Sequence, residues 1–242
     1  MNSALTLYTV QNNLLHEAGL GNPMRRARQI QRSVMKLAFC AFKLCCRVSL
    51  HLLALAMALH SGNAQDLMPI LNGTDLTGWK VPDPNPFWKV TNGVLVGQND
   101  EKMTGHVLYT EKSYGDFVLE SDVRWEGEID SGFMLRIPEL QLQIGVSRSL
   151  KKDMTCCFYT GGQERYPEAG RARDLEKVLK PGGWNKFRLQ AKGDVFTVWL
   201  NGEKVTEYSS PKYKDPGPIG LQIHPGLKMK VEFKDIRLKE LP

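Results

Sequence analysis

Apolar and polar residues alternate with a period of two through most of residues 65–242, the mark of strands that bury one face. Phe117-Val-Leu-Glu-Ser-Asp-Val-Arg-Trp125 puts Phe117, Leu119, Val123 and Trp125 on one side and Glu120, Asp122 and Arg124 on the other. Phe187 to Ala191 alternates in the same way. Val195 to Val205 reads as two strands joined by Asn201-Gly202, a hairpin turn whose residues both accept positive φ. Between Phe233 and Ile236 the apolar phase slips by one, which predicts a β-bulge near Asp235 or a strand passing from one sheet to another. Helical spacing is confined to Ala172 to Leu179, two turns at most, ended by Pro181-Gly182. Many short antiparallel strands predict an all-β sandwich or jelly roll rather than an α/β enzyme. No repeat, low-complexity tract or linker divides residues 66–241, which read as one domain long enough to bury a real core.

The formal charge of +6 does not describe that domain. Residues 1–64 hold seven Lys/Arg and a single acid, leaving 25 of the 32 basic and 25 of the 26 acidic residues for the rest. A basic patch for nucleic acid is not in evidence, and nucleic acid is set aside as a partner. The first 64 residues have the layout of an N-terminal extension with an export signal: basic residues, an apolar run from Val48 to Leu59, then Ser61-Gly62-Asn63-Ala64. Cleavage after Ala64 would place small residues at −3 and −1 and release a periplasmic or extracellular product that no longer touches the membrane. The alternative is an anchor or an uncleaved signal, although roughly 30 Å of hydrocarbon is long for so short a run. Met35 would give the signal a more ordinary start. Cys40, Cys45 and Cys46 leave with the leader, and the adjacent Cys156 and Cys157 read as unpaired thiols, because a bridge between neighbours is strained.

Familiar catalytic motifs are missing: no Gly-x-Ser-x-Gly, no phosphate-binding loop, no His-Glu-x-x-His, no Cys-x-x-Cys. Only His106 and His224 remain beyond the leader, so a three-histidine metal site is excluded and no metal motif stands out. Candidate chemistry falls on polar residues in the strands. Gln141 and Gln143 share one face of Leu140 to Ile144, with Leu140, Leu142 and Ile144 on the other; Arg136 ends the apolar run Ser131-Gly-Phe-Met-Leu. Gln222 and His224 close the strand that begins at Gly217. Amides, a guanidinium and an imidazole suit a polyhydroxyl ligand. Trp79, Trp88 and Trp184 lie in turn-rich surroundings, where an indole face can stack on a sugar or simply fill the core.

Several motifs occur together in one order: Leu71-Asn-Gly-Thr-Asp-Leu-Thr-Gly-Trp79, Trp88-Lys-Val-Thr-Asn-Gly-Val-Leu-Val-Gly97, Tyr114-Gly-Asp-Phe-Val-Leu-Glu120, Ser131 to Arg136, Gly183-Trp-Asn-Lys-Phe-Arg188, Val198-Trp-Leu-Asn-Gly202 and Gly217 to Leu238. Through these, residues 67–241 resemble the 3-keto-disaccharide hydrolase family. The resemblance implies a concanavalin A-like lectin/glucanase jelly roll of two antiparallel sheets. It also implies a saccharide or 3-keto-saccharide ligand and cleavage of glycosides oxidised at C3, by a hydrolase or lyase route. By position it makes His224 and Arg136 the catalytic candidates, with His224 as base or metal ligand; an imidazole's ordinary pKa of about 6.5 suits proton transfer near neutrality. Arg136 would stabilise developing negative charge. Gln141, Gln143, Gln222, Trp88 and Trp184 are the substrate-binding candidates, and a divalent metal cofactor is left open. One departure stands out: the family commonly carries Glu-Val-Gln-Ile where this chain has Gln141-Leu-Gln-Ile144. An amide cannot act as a carboxylate base. The chain is therefore either an enzyme that recruits another acid, such as Glu139 or Glu232, or a non-catalytic carbohydrate-binding relative.

Overall fold

The computed structural model describes residues 67–242. The strands run in chain order as β1 (Met68–Pro69), β2 (Trp79–Lys80), β3 (Trp88–Thr91), β4 (Val94–Gln98), β5 (His106–Tyr114), β6 (Phe117–Trp125), β7 (Asp130–Leu135) and β8 (Leu140–Ser147). They continue as β9 (Lys152–Asp153), β10 (Phe158–Tyr159), β11 (Asn185–Lys192), β12 (Val195–Leu200), β13 (Glu203–Ser209), β14 (Gly217–Ile223) and β15 (Lys230–Glu240). One eight-stranded sheet has the order β13-β12-β11-β6-β15-β4-β3, with β1 added to β15; a seven-stranded sheet has the order β10-β8-β7-β14-β5-β2, with β9 added to β8. Every named pairing is antiparallel. The fold is a jelly-roll sandwich, as the alternating pattern and the family resemblance predict.

One core lies between the sheets. Phe133 of the seven-stranded sheet meets Phe187 and Phe233 of the other, both at 5.9 Å between ring centres. Leu119, Val123, Leu142, Ile144 and Leu221 close around them, all at most 2% exposed. Each such side chain contributes roughly 1.5–3 kcal/mol of transfer free energy, so the period-two pattern alone dictates which face of each strand turns inward.

Local expectations hold at three points. The register of β15 against β6 shifts between Lys234 and Arg237, and Asp235 takes φ 50°, so the bulge lets Phe233 and Ile236 both face the core. Asn201 and Gly202 turn with φ 53° and 96°. Helix α1 (Leu175–Val178) is a single turn. Cys156 and Cys157 are buried free thiols, each pushed up in pKa chiefly by burial. The leader, its cleavage after Ala64 and the cysteines within it lie outside the described residues, and among the described residues no helix is long and apolar enough to cross a membrane.

Candidate functional site

Where β8 buries Leu140, Leu142 and Ile144 in the core, its other face carries Gln141 and Gln143 on the outside of the seven-stranded sheet. Across β7 the same alternation presents Asp130, Gly132 and Met134, and across β14 it presents Gln222. Gly132 is what lets these meet. A Cβ there would sit 2.8 Å from both Cγ and Nε2 of Gln141, so only a glycine lets that side chain lie across β7. Gln141 Nε2 donates to Gln143 Oε1 (2.8 Å), Gln222 Oε1 (3.0 Å) and, more loosely, the Ser131 carbonyl (3.3 Å). Gln143 Nε2 donates in turn to Asp130 Oδ1 at 2.9 Å, and Tyr166 Oη donates to Gln143 Oε1 at 3.1 Å. Asp130 Oδ2 accepts from the Arg148 backbone N–H at 2.8 Å.

These residues form the floor of a cleft of about 480 Å³, within the range of a small-ligand site. Its walls include Tyr159 and Tyr166 (ring centres 5.1 Å apart), Arg148, Arg165, Glu139 and His224. Burial pushes the Tyr166 phenol well up, so it stays a neutral donor. The Tyr109 phenol is also raised, by burial and then by the hydrogen bond it donates to Glu139. His224 follows β14 directly, and its Nδ1 lies 2.6 Å from the Pro225 carbonyl oxygen. A carbonyl only accepts, so Nδ1 carries the proton and Nε2 holds the lone pair of the neutral ring.

A family description, the 3-keto-alpha-glucoside-1,2-lyase-like domain, matches residues 66–239, most of the chain. The chain belongs to this family. Among solved structures, a candidate glycosyl hydrolase from Parabacteroides distasonis ATCC 8503 is 23% identical with a TM-score of 0.56, over 74% of this chain and 95% of that one. A second from the same organism gives 22% and 0.54, over 72% and 99%. A Bacillus subtilis protein of unknown function with a galectin-like fold gives 13% and 0.52, over 72% and 94%. These likenesses concern the fold. No curated protein matches the chain.

Within this 3-keto-glucoside lyase-like domain, four of the expected site residues come together in the cleft: Gln141, Gln143, Gln222 and His224. Three do not. Arg136 turns away with φ 64° and is 3% exposed; its Nη2 donates to Asp116 at 2.8 Å, and its guanidinium lies between the rings of Phe117 and Phe196. A left-handed residue at the end of β7 breaks the alternation that would have aimed it at the cleft. Trp88 is a core residue that covers Gly97 and donates from Nε1 to His106 Nδ1 at 3.0 Å. Trp184 flanks the eight-stranded sheet, with Arg124 and Lys234 over its ring at 4.6 and 4.4 Å, and does not line the cleft. Of the two substitute acids, Glu139 lines the cleft, whereas Glu232 is on the other sheet, bound to Arg124 and Lys230.

Asp130, Tyr166, Arg148 and Arg165 are cleft residues that the sequence reading missed. Asp130 was within reach: it directly precedes the Ser131 to Arg136 motif and shares its parity with Gly132 and Met134. Tyr166 arrives from a loop held by Met154 and Cys157, and no periodicity announces it. A resident divalent metal does not fit the residues present. Among the described residues no three His, Cys, Asp or Glu cluster as ligands, and both oxygens of Asp130 already accept hydrogen bonds.

Proposed function

We propose that the protein is an exported enzyme that cleaves glycosides oxidised to a ketone at C3, with His224 as general base. A C3 ketone acidifies the neighbouring C2–H. His224 Nε2 would take that proton, and the electron pair would move into a C2=C3 enolate with negative charge on O3. Collapse of the enolate would break the C1–O bond, form C1=C2 and release the aglycone, which takes up a proton; water would then add across the double bond. A positioned base contributes on the order of 10²–10⁴ in rate. Gln222 supports the second requirement: it lies near the end of β14, two residues before His224, its Oε1 is taken by Gln141, and its Nε2 has no partner among the described residues. That amide N–H would donate to the enolate oxygen, the part the sequence reading gave to Arg136. Gln222 and His224 both line the cleft, so one sugar ring there would meet the amide and the imidazole together.

The observation that carries this reading is the His224 Nδ1 bond to Pro225, which leaves Nε2 as an acceptor on a residue that lines the cleft. The assay is release of sugar from a 3-keto-glucoside or 3-keto-trehalose, with and without chelator and added divalent metal. His224→Ala is expected to lower kcat by at least about 10² while thermal unfolding is unchanged. An equally active alanine variant removes His224 from the mechanism.

A second reading, a saccharide-binding domain without turnover, has its own support. Gln141 stands where the family commonly carries an acid. The two carboxylates at the cleft are engaged, Asp130 by Gln143 and the Arg148 N–H, Glu139 by Tyr109. That reading expects saccharide affinity in the wild type and no product from any 3-keto substrate.

A further inference from the structure

We propose that Asp130 is a positioning residue that sets the polarity of the three-glutamine array, and through it decides which end of the Gln222 amide meets the ligand. The inference rests on the 3-keto-glycoside reading of the cleft. Each amide has a donor end and an acceptor end of nearly the same shape, so a chain of amides has two self-consistent directions. Both Asp130 oxygens accept, Oδ1 from Gln143 and Oδ2 from the Arg148 backbone N–H. Gln143 must therefore turn Nε2 to Asp130 Oδ1 (2.9 Å), which leaves Oε1 for Gln141 Nε2 (2.8 Å) and Tyr166 Oη (3.1 Å). Gln141 Nε2 in turn holds Gln222 Oε1 (3.0 Å), and Gln222 Nε2 is left to the cleft. In the reverse direction Gln222 would offer its oxygen instead. A ketone oxygen only accepts, so it is repelled by that arrangement, whereas a hydroxyl can turn to donate. One buried acceptor three side chains away thus admits a ketone at the Gln222 position.

Asp130→Asn inverts the array rather than merely loosening it. The Arg148 backbone N–H, now 2.8 Å from Oδ2, claims the asparagine oxygen. The new NH₂ then faces Gln143, which must present Oε1 to it and NH₂ to Gln141. Only the 3.3 Å contact to the Ser131 carbonyl resists. The test is calorimetric affinity of the full chain for a slowly cleaved 3-keto-glucoside analogue and for its 3-hydroxy counterpart, in wild type, Asp130→Asn and Gln143→Met. Asp130→Asn is expected to lose about tenfold or more in affinity for the ketone and to keep its affinity for the hydroxyl ligand within about twofold. Gln143→Met, which cuts the array without adding a donor, is expected to narrow the same ratio, and it carries the test if Asp130→Asn does not fold. A parallel loss for both ligands, or none for either, would mean that Asp130 is only structural and would overturn the inference alone. A wild type that binds neither ligand overturns the 3-keto reading and this inference with it.

Discussion

Arg136 sits at the end of an apolar strand beside a motif that points to a site, yet its guanidinium is held in the protein. Asp116 accepts from Nη2, the Lys214 and Gly193 carbonyls lie at 3.4 Å, and two phenyl rings flank it. Burial alone would raise the Asp116 carboxyl, but the bonds from Arg136 and the Gly193 N–H outweigh it and hold the pKa below its ordinary value. Arg136→Met should therefore act on stability. Removing one partner of a buried pair costs about 3–5 kcal/mol; because Asp116 keeps 28% of its side-chain exposure, we expect a smaller cost of about 2–3 kcal/mol. In a domain of this size that lowers Tm by roughly 4–12 °C, with saccharide affinity within about twofold of wild type. Calorimetric melting beside a binding titration separates this from a catalytic role, which would show lost activity at an unchanged Tm. The contrast with Gln141, Gln143, Gln222 and His224 explains what the sequence could tell. Strand parity assigns a face, and those four obey parity. Arg136 takes a left-handed turn, and Tyr166 depends on a loop folding back, so neither place is encoded in a period.

Most of the strands that set the sandwich were legible for the same reason, including the slip at Asp235 that needed only the apolar phase. Contacts between elements were not. Trp88 in β3 belongs to the eight-stranded sheet and His106 in β5 to the other, and the Nε1 to Nδ1 bond at 3.0 Å ties the two sheets together. Nothing in the spacing of 18 residues signals it. That bond requires a lone pair on Nδ1, so His106 must be neutral. Phe87 stacks on the ring at 5.2 Å, and burial holds the His106 pKa below its ordinary value. The sign follows from linkage. The unfolded chain binds the proton more readily, so this contribution is present above the unfolded value of about 6.5 and is lost as pH falls through the lower folded value. Urea midpoints should therefore fall between about pH 7 and pH 5, and His106→Leu should remove most of that slope, because His224 is the only other histidine among the described residues. A variant that keeps the wild-type slope would place the titration elsewhere.

At the scale of the molecule, charge and fold divide the chain at one place. The compact unit runs Asp66–Pro242 and the family match begins at residue 66, while the whole positive excess precedes residue 65. A sandwich with 25 basic and 25 acidic residues has no charge-based reason to carry a basic extension. An export signal does, because its basic residues stay on the cytoplasmic side while the apolar run enters the membrane. The apolar stretch Val48 to Leu59 is long enough to engage an export channel and short for a permanent span. Expression of the full chain in a bacterium with an export pathway, followed by N-terminal sequencing of the released protein, should give Gln65 as the first residue. The product should also focus near neutrality rather than at the pI of about 9.0 of the whole sequence. Ala64→Arg, which places a bulky charge at −1, should block processing and leave the precursor with the membrane. A wild type that stays membrane-bound would mean that the segment anchors the sandwich and that its cleft works at a membrane surface, and a released protein that still carries the leader would mean that the segment is neither a cleaved signal nor an anchor.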